Sequence, residues 1–274
     1  MSVPRRIWAE MTTAEIAEAD TSDWIAVIAL GAVEQHGPHL PLATDSLIGS
    51  ALTALSMEMI PDEIPVTAMP MIEVGKSEEH LGYPGVVSLG TAEMTAIIRE
   101  TAESAIRAGV RKVVIVNAHG GNSPLLDLVT RDLRRRYGVL AVATSWSRFG
   151  VPEELVAKDE IVHGIHGGQI ETSLMLYIRP ELVRMERAET FVSLQELLGE
   201  EYELLRAHGP VAFGWMAEDL NAAGVVGDAA AATPEIGQAI AQHQAQAFAK
   251  LCEEVHDFVP PWFEHDSQED RLPR

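Results

Sequence analysis

The 274-residue chain carries one cysteine, Cys252, so no disulfide can form within it, and a reducing, cytoplasmic setting is expected. Cys252 falls in an apolar-periodic helical stretch, where a thiol reads as a buried spectator rather than a nucleophile. Basic residues are scarce: 20 Lys and Arg stand against 41 Asp and Glu, a formal net charge of −21. Such a surface repels phosphate backbones and anionic headgroups, which excludes nucleic acid and membrane as expected partners. The main positive cluster, Arg131 to Arg136, encloses Asp132 and reads as the solvated face of one helix. No apolar run approaches the length of a membrane span, and the first residues lack the basic-then-apolar order of a secretory signal. Internal repeats and low-complexity linkers are also missing, so a single domain is expected over 1–274.

What is present is a 47% apolar chain in which strand-like and helix-like segments alternate. Trp24 to Leu30 is a continuous apolar, β-branched run and reads as a buried strand. Helical spacing follows over Ser46 to Ile60, and Ile64 to Met71 reads as a short second strand among prolines. Thr91 opens a helix that runs to Ala108 and is closed by Gly109. Lys112 to Val116 is a third buried strand, Leu125 to Tyr137 a helix ended by Gly138, and Val139 to Thr144 a fourth strand. This alternation predicts an α/β fold with a mostly parallel sheet flanked by helices on both faces.

In such folds ligands bind at the loops leaving the carboxyl ends of the strands. The first of these loops, Gly31 to Asp45, places Glu34 and His36 two residues apart, on the same side of an extended segment. Asp45 returns after the turn set by Gly37, Pro38 and Pro41. Imidazole nitrogen with carboxylate oxygen suits Zn, Mn or Fe, and a carboxylate can bridge two ions. Asp45 fits equally the N-cap of the following helix, whereas Glu34 and His36 stand too early to cap anything. After the third strand comes Asn117-Ala118-His119-Gly120-Gly121-Asn122. Its glycines permit close backbone approach to a ligand, and its asparagines either fix the turn or donate to a substrate. In the polar loop Ser77 to Gly85, His80 either lines a pocket or is an exposed loop histidine. A third turn, His163 to Ser173, puts His166 just ahead of a helix starting near Gly167. Glu171 then lies in the early turns of that helix, complementing its dipole or reaching a cation.

Taken in order, Glu34-x-His36-Gly37-Pro38-His39 with Asp45, Glu79-His80 with Tyr83-Pro84-Gly85, Asn117-Ala118-His119-Gly120-Gly121-Asn122 and His166-Gly167-Gly168-x-x-Glu171-Thr172-Ser173 resemble the motifs of the creatininase family of metal-dependent amidohydrolases. The resemblance reaches from the first strand to Gly224-Val225-Val226-Gly227-Asp228. It implies an α/β fold, two divalent metal ions per chain (Zn, Mn or Fe) and a homo-oligomer, often a hexamer. It also implies metal ligation by Glu34, His36, Asp45 and His119, with Asp45 as the bridge, and a histidine acting on the substrate at His166. Substrate contacts fall to His80, Tyr83, Gly120, Gly121 and Asn122. There are departures. Creatininases proper carry a glutamate ligand two positions after the metal-binding histidine, where this chain has Gly121. Glu171 becomes the candidate to supply the missing oxygen, as a ligand or as a catalytic group, and creatinine is not the expected substrate. Gly167-Gly168-Gln169 likewise stands where the family commonly has Ala-Gly-Glu. Branches sharing the His-Gly-Gly-Asn turn include a formylamino-pyrimidine deformylase and a peptidase of mycofactocin maturation. The implied reaction is hydrolysis of a C–N amide bond in a small molecule (a cyclic amide, lactam or formamide) by a metal-activated water. Two readings from other classes compete. A dinuclear phosphoester hydrolase needs basic side chains, of which the turns offer only Lys76, and a non-catalytic metal-binding protein needs a closed coordination shell.

Overall fold

Of the domain expected over 1–274, the computed structural model describes residues 3–263. Four strands, β1 (Ile25–Leu30), β2 (Val66–Ala68), β3 (Lys112–Asn117) and β4 (Leu140–Ser145), form one parallel sheet in the order β2-β1-β3-β4. The helices in chain order are α1 (Thr13–Glu18), α2 (Thr44–Met59), α3 (Thr91–Arg107), α4 (Ser123–Tyr137), α5 (Lys158–His163), α6 (Gln169–Ile178), α7 (Leu194–Glu201), α8 (Ala217–Leu220) and α9 (Pro234–Asp257). A short antiparallel pair, β5 (Thr190–Phe191) and β6 (Gly227–Asp228), stands apart from the sheet.

The two-residue period of the strands sorts their side chains onto two faces. Ile25, Val27 and Ala29 pack with Val114 and Val116 against Ile48 and Leu52 of α2, Leu174 and Met175 of α6, and Ile240 and Phe248 of α9. Trp24, Ala26, Ile28 and Leu30 pack with Val113 and Ile115 against Met94 and Ile98 of α3 and Leu125 and Val129 of α4. Both faces of β1 are therefore buried, which is why its sequence is apolar throughout. Cys252 is buried in the first of these cores, and burial pushes its thiol up to about 12, far from a reactive thiolate.

The bounds of β2 and α2 differ from the sequence expectation. The second strand is only Val66–Ala68, because the flanking prolines have no N–H to donate to a ladder. Helix α3 opens at Thr91 as expected, with Gly90 as its N-cap. Helix α2 begins at Thr44, so Asp45 lies inside its first turn; Ala43 is the N-cap and no side chain caps the helix.

Strands β1 and β3 are adjacent and parallel, and their last residues, Leu30 and Asn117, pair directly. The turns that leave them must start side by side. This register brings Glu34, four residues past β1, to His119, two residues past β3.

Candidate metal centre

Glu34, His36, Asp45 and His119 are all buried at this junction. The Nε2–H of His119 donates to the carbonyl of Lys76 at 2.8 Å, so its Nδ1 is the bare nitrogen. That atom lies 3.1 Å from Glu34 Oε2 and 3.2 Å from Asp45 Oδ2. His36 repeats the device with the opposite tautomer. Its Nδ1–H faces the Glu34 carbonyl at 3.3 Å, and its bare Nε2 lies 3.3 Å from Asp45 Oδ1 and 3.8 Å from Glu171 Oε2. A backbone carbonyl that fixes the far nitrogen of a histidine is the arrangement that orients metal ligands.

Beside a Glu34–His36–His166 group, two triads result, Glu34–Asp45–His119 and His36–Asp45–Glu171, and in each the ligand atoms lie within 4.8 Å of one another. Asp45 belongs to both, one oxygen toward each imidazole. Glu34 Oε1, His36 Nε2 and Asp45 Oδ2 are buried without a hydrogen-bond partner, an arrangement that costs about 1–3 kcal/mol per group if nothing else binds there. The donor set and the orphaned atoms fit divalent cations.

The electrostatics say the same. Burial disfavours charge on His36, but Asp45, then Glu171 and Glu34, outweigh it and push the imidazole up to about 9. His119 is raised well above its ordinary value, burial being overcome by Glu34 and Asp45. Asp45 is held below the usual carboxylate range, because His36 and His119 outweigh its burial. Burial raises Glu34, and burial pushes Glu171 up to about 7. Positive charge is what this cluster lacks, and protons on the histidines stand in for it.

Three side chains brace the cluster. Ser77 Oγ donates to Glu34 Oε2 at 2.5 Å, in the range of a charge-assisted bond. Gln35 donates its two amide hydrogens to His80 Nδ1 at 2.9 Å and to the Gly224 carbonyl at 2.5 Å, while its oxygen accepts from the Gly37 N–H at 2.9 Å. His80 therefore carries its proton on Nε2, 3.3 Å from Glu34 Oε1. Buried at this site, His80 is not an exposed loop histidine; burial, His36 and His119 push it down to about 3.

His166 closes the arrangement. Its ring lies 4.2 Å from that of His36 and 4.4 Å from that of His80. Nε2–H donates to the Gln35 carbonyl at 2.8 Å, and Nδ1 faces Glu34 Oε1 at 3.6 Å. Burial, His36 and His80 hold its pKa well below the ordinary histidine value, so the ring is neutral at pH 7. The turns carrying His36 and His166 meet through glycine: Gly37 (φ 68°) and Gly167 (φ 67°) both press on Val225, where a Cβ would meet its methyls at 2.7 and 2.5 Å. Glu171 also anchors this turn, accepting the Gly167 N–H at 2.6 Å. Glu160 of α5 holds it from behind, accepting N–H groups from Gln169 and Asp228 at 2.7 Å each.

A cavity of about 1040 Å³ opens onto the cluster, and Glu34, His80, His119, Gly120, Gly121, His166 and Glu171 all line it. Two residues expected at the substrate are placed elsewhere. The hydroxyl of Tyr83 donates to the Ala222 carbonyl at 3.1 Å, and Tyr83 is not in the cavity wall. Asn122 is buried behind the wall. Its amide nitrogen donates to Gly31 O and Asn117 Oδ1 at 3.1 Å each, and its oxygen accepts from the Lys76 N–H at 2.9 Å, tying three loops together. At Gly121, a Cβ would collide with Glu79 Oε1 and lie 2.6 Å from the Lys76 carbonyl. Glu79 takes up the room that a side chain at 121 would need.

Sequence reasoning passed over Gln35, Ser77 and Glu160. Gln35 stands between two ligand candidates and Ser77 opens the polar loop, so both had a local signal. Glu160 had none, because its partners are 9 and 68 residues away.

The family model described as creatinine amidohydrolase matches residues 9–252. A mycofactocin precursor peptide peptidase of Mycolicibacterium smegmatis is 30% identical over 240 residues, 87% of this chain and 85% of that one. A creatinine amidohydrolase of Pseudomonas putida is 31% identical over 188 residues, 62% of this chain and 70% of that one. Among solved structures, one titled "Creatininase Mn" superposes with a TM-score of 0.73 at 26% identity, covering 94% of this chain and all of that one. The shared fold, a match across nearly the whole chain and a cluster fit for cations agree: the chain belongs to the creatininase family of metal-dependent amidohydrolases.

Proposed function

We propose that the protein hydrolyses a C–N amide bond of a small molecule at a centre of two divalent ions, Zn, Mn or Fe, one held by Glu34, Asp45 and His119 and the other by His36, Asp45 and Glu171. The observation that carries this reading is the sharing of Asp45 between two triads on the wall of one large cavity. Glu171 then supplies the oxygen that Gly121 cannot. When bound, the ions lower the pKa of a water toward neutrality and polarise the amide carbonyl. His166 presents a neutral Nδ1 toward the cluster, so it accepts the proton of the attacking water and returns it to the departing nitrogen. Gln35 keeps that ring in register through its backbone carbonyl. At Gly120, which lines the cavity, nothing lies within 4 Å of where a Cβ would stand, so the missing side chain leaves room for the substrate.

Two observations separate this from its competitors. A phosphoester hydrolase would need free cationic side chains, and Lys76, the basic residue in the cavity wall, is paired to Glu78 at 3.0 Å. A purely structural metal site would be closed, whereas this cluster borders a cavity. Among the described residues no helix is long and apolar enough to cross a membrane, and with the single cysteine this supports a cytoplasmic enzyme. Exposed apolar residues between 192 and 211, among them Val192, Leu197, Leu204 and Val211, support burial against further copies in a homo-oligomer such as a hexamer.

Metal analysis of the purified protein should give two divalent ions per chain, and a screen of lactams, formamides and small peptide amides should find turnover that chelation abolishes and Zn or Mn restores. Turnover that survives complete metal removal would rule the mechanism out. Light scattering should return a mass that is a multiple of 29.8 kDa; a monomer at micromolar concentration would remove the assembly from the proposal.

A further inference from the structure

The cavity is far larger than the reaction at the cluster requires. At about 1040 Å³ it reaches the top of the roughly 300–1,000 Å³ range that encloses drug-sized ligands, whereas a single five-membered ring would fill a small corner. Outside the cluster its wall is mainly apolar, with Trp146, Ile161, Ile165, Phe213, Trp215 and Met216 contributing beside Ser147, His208 and Gln244. Ile161 and Met216 are exposed at 49% and 37%, so large apolar side chains face water next to the site. Of the acidic residues in the wall outside the cluster, Glu78 already holds Lys76, and Glu79 adds a second carboxylate beside His119. An anionic arm would find no free lysine or arginine in this wall.

We infer that the substrate is an uncharged amide bearing a bulky apolar arm, aromatic or branched aliphatic, which Phe213, Trp215 and Met216 receive while the amide lies at the metal cluster. The inference rests on the hydrolytic reading for the position of the amide and on the cavity wall for the arm. A leucine- or phenylalanine-sized group moved from water into this wall gains affinity of about 10–10²-fold over a group without a side chain. Rejection of a carboxylate arm follows from desolvating a charge with no partner.

Three probes test it: N-acetylglycinamide, N-acetylphenylalaninamide and N-acetylaspartate amide, titrated against the metal-loaded protein by ligand-observed NMR. The phenylalanine amide should bind at least about 10-fold more tightly than the glycine amide, with the aspartate amide weakest. Phe213→Ala and Trp215→Ala should each weaken the phenylalanine amide several-fold while leaving the glycine amide unchanged. Trp215→Leu, which keeps an apolar wall, should recover most of the loss and guards against a variant that fails to fold. Equal affinity for the glycine and phenylalanine amides, preference for the aspartate amide, or wild-type binding in both alanine variants would overturn the inference. Selective binding without hydrolysis of any probe would sink the hydrolytic reading and leave the apolar subsite standing. Hydrolysis of the glycine and phenylalanine amides with equal affinity and equal kcat/KM would do the reverse.

Discussion

Asp45→Asn is expected to take the bound metal from two ions to fewer than one per chain and to lower turnover on the best amide by on the order of 10³-fold. The side chain keeps its shape, so the first turn of α2 stays in place. One oxygen becomes an NH₂ facing a bare imidazole nitrogen, either His36 Nε2 at 3.3 Å from Oδ1 or His119 Nδ1 at 3.2 Å from Oδ2. The remaining amide oxygen is neutral, so each triad loses a full anionic ligand. The Lewis-acid contribution lost with the ions is several kcal/mol, and each ~1.4 kcal/mol is a factor of ten in rate. His119→Ala, by contrast, should empty mainly the Glu34–Asp45–His119 triad. Elemental analysis of the two variants checks both statements, and wild-type metal content in Asp45→Asn would show that Asp45 is not the bridge.

The second large effect belongs to His166. Its replacement by alanine should leave both ions bound and depress turnover by about 10²–10⁴-fold, the range for loss of a positioned acid–base group. The ring lines the cavity, its far nitrogen is committed to Gln35, and neither of the two triads includes it. Glu34, His36 and His166 do form a third group with ligand atoms in reach of one another, which makes the metal readout decisive. A variant that loses an ion along with its activity would make His166 a ligand. A variant that keeps both ions and hydrolyses the amide at the wild-type rate would remove His166 from the chemistry.

The parts of this molecule legible in its sequence are those fixed by neighbours along the chain. Strands β1 and β3 stood out because both faces are covered and every position of β1, and Val113 to Val116 of β3, is apolar or β-branched. The ends of α3 and α4 stood out because Gly109 and Gly138 adopt positive φ, at 105° and 68°. The clustered residues Glu34, His36, Asp45 and His119 were legible for a similar reason: each lies within a short turn following a strand or opening a helix. What depended on distant partners was not. Tyr83 and Asn122 look from the sequence like substrate contacts, yet their polar atoms are taken by loops 139 and 91 residues away. Phe213 and Trp215 come from an irregular stretch with no periodicity, so nothing local marked them as cavity wall. Asp45 stood open between a cap and a ligand because the alternatives differ by the residue at which α2 begins, and single-residue boundaries lie beyond pattern reading.

Glu79 and Gly121 also bear on how one branch of the family could be converted into another. Installing the glutamate of creatininases proper by Gly121→Glu alone drives the new side chain into the Glu79 carboxylate and sets two anions against each other. Shortening Glu79 to alanine or glycine removes the repulsion, but a Cβ at 121 still meets His119 Nε2 at 2.5 Å and the Lys76 carbonyl at 2.6 Å, so the loop carrying Lys76 must also shift. The two positions are therefore coupled, and neither order of substitution suffices by itself: conversion needs Gly121, Glu79 and the backbone at Lys76 to change together.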